Sequence, residues 1–142
     1  MQAVKLRKST FKHVEAEICA YPEYQKEIKS IREEIINGQG EVDENFGAGK
    51  NSPREPGRPT EKIATRLVTN RRLRHLEEVT EAIEDVYNRL DDTQKKMVKL
   101  RYWNRESLGW EAIAYHCNIG RASAFRYREA IVQSIGERIG WK

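Results

Sequence analysis

Apolar residues recur at steps of three and four along the N-terminal part of the chain, which is the spacing of one face of an α-helix. Ser9 or Thr10 can cap this helix at its start. Pro22 lacks a backbone donor and disfavours helical geometry at the preceding residue, so we expect a kink or a new helix start there. Gly38 predicts the end of the helix, because glycine readily takes the left-handed conformation of a C-terminal cap. The stripe consists of Phe11, Val14, Ile18, Tyr21, Tyr24, Ile28, Ile31 and Ile35.

A second apolar stripe follows a stretch in which the helical periodicity is lost. Residues 38–59 contain five glycines and three prolines, a composition typical of a flexible linker. Helical spacing returns over residues 60–90. We expect the two stripes to pair as a bundle or as a coiled coil, within one chain or between chains, and residues 9–37 or 70–90 to mediate formation of a homo-oligomer. The longer part of the second stripe comprises Leu73, Leu76, Val79, Ile83, Val86 and Leu90.

The last third of the chain predicts three helices. Asp91 can cap the first of them, and Gln94, three residues later, completes the pattern of a capping box. The second helix reads "WEAIAYHC", and Ala114 supplies the small side chain that two closely crossing helices need. Asn118 follows this helix, and asparagine tolerates the left-handed conformation of a sharp turn. Ile119 is then expected to fill the corner before the third helix begins.

The third helix separates an apolar face from a basic one. Ala124, Tyr127 and Ile131 recur at three and four, so they are expected to face inward. Two closely spaced helices with a tight turn between them form the helix-turn-helix pattern, whose second helix enters the major groove of DNA. The outward positions are Arg121, Ala122, Phe125, Arg126 and Glu129.

Groove reading needs long hydrogen-bond donors for guanine edges and phosphates, and small residues where the backbone must approach the DNA. The sequence offers both at the start of the third helix. Phe125 has two interpretations: an exposed ring would touch a thymine methyl group, whereas a packed ring would contact another helix. The candidate DNA-binding residues are Arg121, Ala122, Ser123, Phe125, Arg126 and Arg128.

Charge distribution supports a polyanionic partner at the C-terminal end. The 142-residue chain has a formal net charge of +4. Residues 95–142 hold ten Lys or Arg against four Asp or Glu, a balance of +6, whereas residues 1–94 hold sixteen against eighteen, a balance of −2. We therefore expect double-stranded DNA as the partner. A basic helix that is simply solvated, in a module that binds only proteins, is the alternative.

Other classes of function find little support. Neither cysteine belongs to a metal-binding pattern, and we expect Cys19 and Cys117 to be buried thiols. The "GAGK" at residues 47–50 lacks the spacing of a nucleotide-binding loop, and no catalytic arrangement stands out. No apolar run approaches the roughly 20 residues of a membrane span. We expect a cytoplasmic protein with no enzymatic activity, no cofactor, no metal and no membrane contact.

The C-terminal region resembles the helix-turn-helix of phage transcriptional activators of the RinA/ArpU type and, more distantly, region 4 of bacterial sigma factors. This likeness lies in "LDDTQKKMVKLRYW" and "LGWEAIAYHCNIGRASAFRYREAI". The N-terminal "TFKHVEAEICAYPEYQKEIKSIREEI" and the central "GAGKNSPREPGRPTEKIATRLVTNRRLRHLE" resemble the same family, so the likeness covers nearly the whole chain.

The resemblance implies an activator of phage or prophage late genes that is associated with the nucleoid of the bacterial host and has RNA polymerase as a further partner. In sigma region 4 the groove-reading positions match Arg121, Ala122, Phe125 and Arg126 here. Where relatives often have Ser or Thr as helix caps, this chain has Gly109 and Gly120, which removes any phosphate contact from a hydroxyl group at these two places. A DNA-packaging protein of the small-terminase kind also joins a helix-turn-helix to helical oligomerisation segments and is the alternative function.

The predicted fold is all-α, with N-terminal helical segments of bundle or coiled-coil type and a C-terminal helix-turn-helix domain. The predicted organisation is an N-terminal helical region over 1–37, a flexible linker over 38–59, a central helical region over 60–90 and the DNA-binding domain over 91–142.

Overall fold

A computed structural model describes residues 5–49, 66, 70–106 and 108–142, with the backbone alone described over 38–49. Within these residues the chain is helical and contains no strand, which confirms the all-α prediction. The described residues include no helix with the length and hydropathy of a membrane span. The helices are α1 (Lys8–Gly49), α2 (Arg71–Asn88), α3 (Asp92–Tyr102), α4 (Trp110–Cys117) and α5 (Arg121–Ile139).

Helix α1 is longer than its sequence predicts. It runs through Pro22 without a new start, and it continues past Gly38 to Gly49. The prediction of a helix end at Gly38 is therefore wrong. Burial of Ile18 before the proline and of Ile28 after it offsets the one backbone hydrogen bond that proline removes. Residues 50–59 of the predicted linker lie outside the described residues, as does most of 60–69.

Helix α2 has the apolar face that its periodicity predicts. Leu73, Leu76, Val79 and Ile83 are all buried, and Val86 is half-buried. At the start of the helix, Asn70 Oδ1 accepts a 2.9 Å hydrogen bond from the Leu73 backbone N–H and so satisfies one of the free donors of the first turn.

The chain divides into two compact units, and the division falls within α1 and α2. One unit consists of residues 1–22 and 78–142, and the other of residues 23–77. In the second unit, Ile28 of α1 packs with Leu73 and Leu76 of α2, so here the two apolar stripes pair within one chain. Arg72 of this unit donates to both carboxylate oxygens of Glu27, at 2.9 and 3.0 Å.

The first unit contains the three C-terminal helices. The capping box at the start of α3 is confirmed, since Asp91 Oδ1 accepts from Gln94 N at 2.8 Å and Gln94 Oε1 accepts from Asp91 N at 3.2 Å. At the other end of α3, Trp103 Nε1 donates to the Ile18 carbonyl at 2.7 Å. The buried core of this unit comprises Leu6, Val14, Ile18, Val79, Ala82, Ile83, Met97, Val98, Tyr102, Ile113, Ala114, Cys117, Ala124, Ile131, Val132 and Ile135.

The segment that precedes α1 lies against the C-terminal half of α5. Leu6 is buried, and its backbone N–H donates to Gln133 Oε1 at 3.1 Å. A Cβ atom at Gly136 would lie 2.7 Å from Leu6 Cδ1, so the absence of a side chain at Gly136 lets the leucine pack this closely. Leu6 therefore contributes to the packing of the unit that carries the C-terminal helices.

Candidate nucleic-acid interface

A sharp corner joins α4 to α5. Asn118 takes the left-handed conformation, with φ 62° and ψ 40°, as the sequence predicts. The Ile119 backbone N–H donates to the Ala114 carbonyl at 3.0 Å, which closes the turn typical of a left-handed helix cap. Ala114 is buried and Ile119 is half-buried. The corner therefore is a tight left-handed turn between two helices, as the sequence predicts.

The inner face of α5 agrees with the predicted spacing. Ala124 and Ile131 are buried, and Tyr127 is half-buried. Val132 and Ile135 continue this buried face toward the end of the helix. Burial of this row fixes the rotation of α5, so the residues on the opposite side are necessarily presented to solvent.

The outer face at the start of α5 carries two exposed cations beside a small residue. Arg121, Ala122 and Arg126 are all exposed. Arg126 Nη2 donates to Ser123 Oγ at 3.0 Å, so the hydroxyl of the half-buried serine orients this guanidinium along the helix. Four of the six candidate residues thus lie together on one turn and a half of helix.

The sequence offers two interpretations of Phe125, a packed ring and an exposed one, and each describes a part of this half-buried ring. Its centroid is 5.9 Å from that of Trp110 on α4, so one side of the ring packs against the preceding helix. The Arg121 guanidinium carbon lies 5.5 Å from the centroid of the same ring. Phe125 therefore contacts both the Arg121 guanidinium and helix α4.

Arg128 differs from the other candidates, because it faces α1. Its Nε and Nη2 donate to the two carboxylate oxygens of Glu15, each at 2.8 Å. Its guanidinium carbon also lies 5.3 Å from the ring centroid of Phe11 and 5.2 Å from that of Trp110. The side chain is held inside the unit and is not grouped with the exposed arginines.

Comparison with known proteins identifies the relatives of this chain. Residues 21–137 match the family model described as "Protein of unknown function (DUF722)". The chain belongs to this family. It is also 27% identical over 135 residues, which cover 95% of this chain and 94% of the relative, to the transcriptional activator rinA of Staphylococcus phage phi11. No solved structure matches.

The two matches together support the RinA-type family that the sequence resemblance implies. The family model spans α2 to α5 almost completely and begins after Glu15. The match to rinA extends over nearly the whole chain, so it includes the N-terminal helix that binds Arg128.

Glu15 is the residue of this RinA-type protein that the sequence analysis missed. Burial alone would raise the pKa of its carboxyl group, but hydrogen bonds from Arg128 and Tyr102, with the charges of Arg128 and Arg101, outweigh burial and lower that pKa. The Tyr102 hydroxyl donates to Glu15 Oε2 at 2.6 Å. Burial, together with this hydrogen bond and the charge of Glu15, raises the pKa of Tyr102.

A signal for the inward side of Arg128 was present in the sequence. Arg128 lies four residues after Ala124 and three before Ile131, which places it on the edge of the inner face. No local signal identifies Glu15 as the partner, since 113 residues separate the two.

The thiols and the acidic residues show no sign of metal chemistry in the described part of the chain. Both cysteines are free; Cys117 is buried as predicted, but Cys19 is exposed, so the prediction of two buried thiols is wrong for Cys19. Burial raises the pKa of the Cys117 thiol. No group of three or more metal-ligating side chains occurs among the described residues.

Proposed function

We propose that this protein is a sequence-specific activator of phage late genes that binds double-stranded DNA and reads the major groove with the start of α5. The observation that carries the proposal is the exposed edge formed by Arg121, Ala122 and Arg126 immediately after the left-handed turn at Asn118. The relationship to a phage transcriptional activator supports the regulatory role.

Each residue of the edge has a part that its chemistry suits. The guanidinium groups of Arg121 and Arg126 supply paired donors for guanine O6 and N7. Ala122 allows the helix backbone to come close to the groove, and Ser123 orients Arg126 through the 3.0 Å hydrogen bond. The exposed side of the Phe125 ring offers an apolar contact to a thymine methyl group.

Arg128 has a different part in this proposal. Because the donor edge formed by its Nε and Nη2 is occupied by Glu15, Arg128 positions α5 against α1 and does not read bases. The Trp110 ring, whose centroid is 5.2 Å from the guanidinium carbon, contacts the same group from α4. The DNA-reading set is thus reduced to five of the six residues that the sequence nominates.

Neighbouring charges favour a polyanion over a protein partner. Lys96 and Lys99 are exposed on α3, and the C-terminal third as a whole carries an excess of six positive charges. Contacts between such side chains and phosphates release counterions, so the binding constant falls with salt by a slope of about −0.9 for each phosphate neutralised.

Selection of bound fragments from the genome of the phage or prophage that carries the gene tests the function. We expect fragments that share one motif and lie upstream of late genes, and a reporter driven by such a fragment should be activated by the protein. Recovery of a packaging site together with ring-sized assemblies would instead support a small-terminase-like role. Binding that does not change between low and high salt would contradict DNA binding by this edge.

Self-association and contact with RNA polymerase remain predictions. A dimer would place two α5 helices on one DNA site, and an activator at a promoter would work beside the polymerase in the host cytoplasm and nucleoid.

A further inference from the structure

Arg121 is contacted from two elements before any DNA is present. Its Nη1 lies 3.5 Å from Glu111 Oε1 on α4, and its guanidinium carbon lies 5.5 Å from the Phe125 ring centroid, one helical turn along α5. Phe125 is itself packed against Trp110, the residue that precedes Glu111. The Arg121 guanidinium thus contacts the carboxylate of Glu111 and the ring of Phe125.

This ion pair contributes little to folding. The side chains of Arg121 and Glu111 are 65% and 78% exposed, and exposed pairs of this kind are worth about 0.2–1 kcal/mol at most. A pair that stabilises the fold so weakly still restricts the directions in which a long side chain points. The ion pair therefore acts mainly on the orientation of the Arg121 side chain.

Building on the function proposed above, we propose that Glu111 is a positioning residue that holds Arg121 for guanine readout. A guanidinium group has five N–H donors in a fixed fork. With Nη1 turned toward Glu111, the edge formed by Nε and Nη2 is left for the paired contact with O6 and N7 of one guanine.

The carboxylate also selects between targets. A phosphate placed near Nη1 would lie close to the negative charge of Glu111, whereas the base edge carries no net charge. Glu111 therefore weakens a sequence-independent phosphate contact of Arg121 more than it weakens a base contact. Specificity, and not affinity, is the quantity that the pair increases.

Glu111→Gln tests this role, and Glu129→Gln is the matched control. Glu129 is an exposed acid on α5 that pairs with Lys5 at 3.6 Å, so the control removes the same charge from an acid that pairs with another cation. The binding of wild type, both single variants, Arg121→Ala and the double variant Glu111→Gln with Arg121→Ala is measured against a randomised duplex library. Thermal unfolding of each variant verifies the fold.

We expect Glu111→Gln to lower the preference at one base position by about 2- to 5-fold, the equivalent of an exposed ion pair. That position should be the one at which Arg121→Ala removes the preference, and the double variant should match Arg121→Ala alone. Glu129→Gln should leave the preference at that position unchanged.

Three results would overturn the proposal. One is that Glu111→Gln behaves like the control and changes affinity equally for all sequences. Another is a loss of preference at a position that Arg121→Ala does not affect, because Glu111 would then contact a base itself. The third is that Arg121→Ala retains every base preference, which would also remove Arg121 from the proposed reading edge; in the first two cases the DNA-binding function stands.

Discussion

Glu15 and Arg128 are joined by two parallel hydrogen bonds of 2.8 Å, although they lie 113 residues apart in the chain. The pair is largely enclosed, with side chains that are 15% and 27% exposed. Tyr102 adds a third hydrogen bond to the same carboxylate. Helices α1, α3 and α5 therefore meet at one acid, and the orientation of α5 depends on the N-terminal helix.

Glu15→Ala should lower the free energy of unfolding by about 2–4 kcal/mol, because it leaves the guanidinium of Arg128 and the hydroxyl of Tyr102 partly buried without their acceptor. Denaturant titration measures the change. Glu23→Ala removes an acid of the same helix that is 76% exposed, and it should cost less than about 0.5 kcal/mol. Equal effects of the two substitutions would show that the Glu15 cluster does not stabilise the fold.

Glu15 also predicts how stability depends on pH. Its pKa is lowered in the folded protein, so the unfolded chain takes up a proton at a higher pH than the folded chain does. The contribution of Glu15 is complete above the ordinary carboxyl pKa, about 4.3, and is lost as the pH falls through the lowered value. As the pH is lowered from 6 to 3, the free energy of unfolding should thus fall less steeply for Glu15→Gln than for wild type. Parallel curves for the two proteins would contradict this assignment.

Local patterns predict the parts of the interface that depend on neighbours in sequence. The Asp91 and Gln94 capping box and the left-handed Asn118 follow from side-chain chemistry within a few residues. The carboxylate that binds Arg128 was missed, because Glu15 comes from α1 and lies 113 residues away in the chain. The predicted helix end at Gly38 is wrong, since α1 continues to Gly49. A glycine is a local signal for a helix end, and here this signal alone does not end the helix.

Asn118 should be sensitive to the shape of the residue that replaces it. At φ 62° a β-branched side chain meets the backbone, so Asn118→Val should cost about 1–2 kcal/mol of stability. Asn118→Gly should be close to neutral, since glycine takes this conformation freely. Asn88→Val, at the exposed last residue of α2, is the control and should change stability little, because Asn88 does not take the left-handed conformation that penalises a β-branched side chain. A stable Asn118→Val variant that binds DNA normally would contradict the strained corner.

We expect the protein to self-associate through the helical region that includes Ile36. This isoleucine on α1 is 52% exposed, whereas Ile28 is covered by α2 of the same chain. Placing a charge at Ile36 by Ile36→Asp should weaken association by about 10-fold or more, the equivalent of losing one buried aliphatic side chain. Ser30→Asp, at an exposed polar position of α1, should have little effect. Sedimentation at micromolar concentration measures both, and a monomeric wild type would overturn the prediction.

The central claim is that the start of α5 reads base edges, and the sequence preferences of Arg121→Ala and Arg126→Ala test it most directly. Both are measured on a randomised duplex library beside Lys26→Ala, which removes an exposed cation that pairs with Glu23. Each α5 variant should lose about 1–3 kcal/mol of discrimination at its own base position, with the other positions and the control unchanged. Variants that bind the selected site with the affinity and the preferences of the parent would contradict the claim, and a loss that is equal on all sequences would reassign both arginines to phosphate contacts.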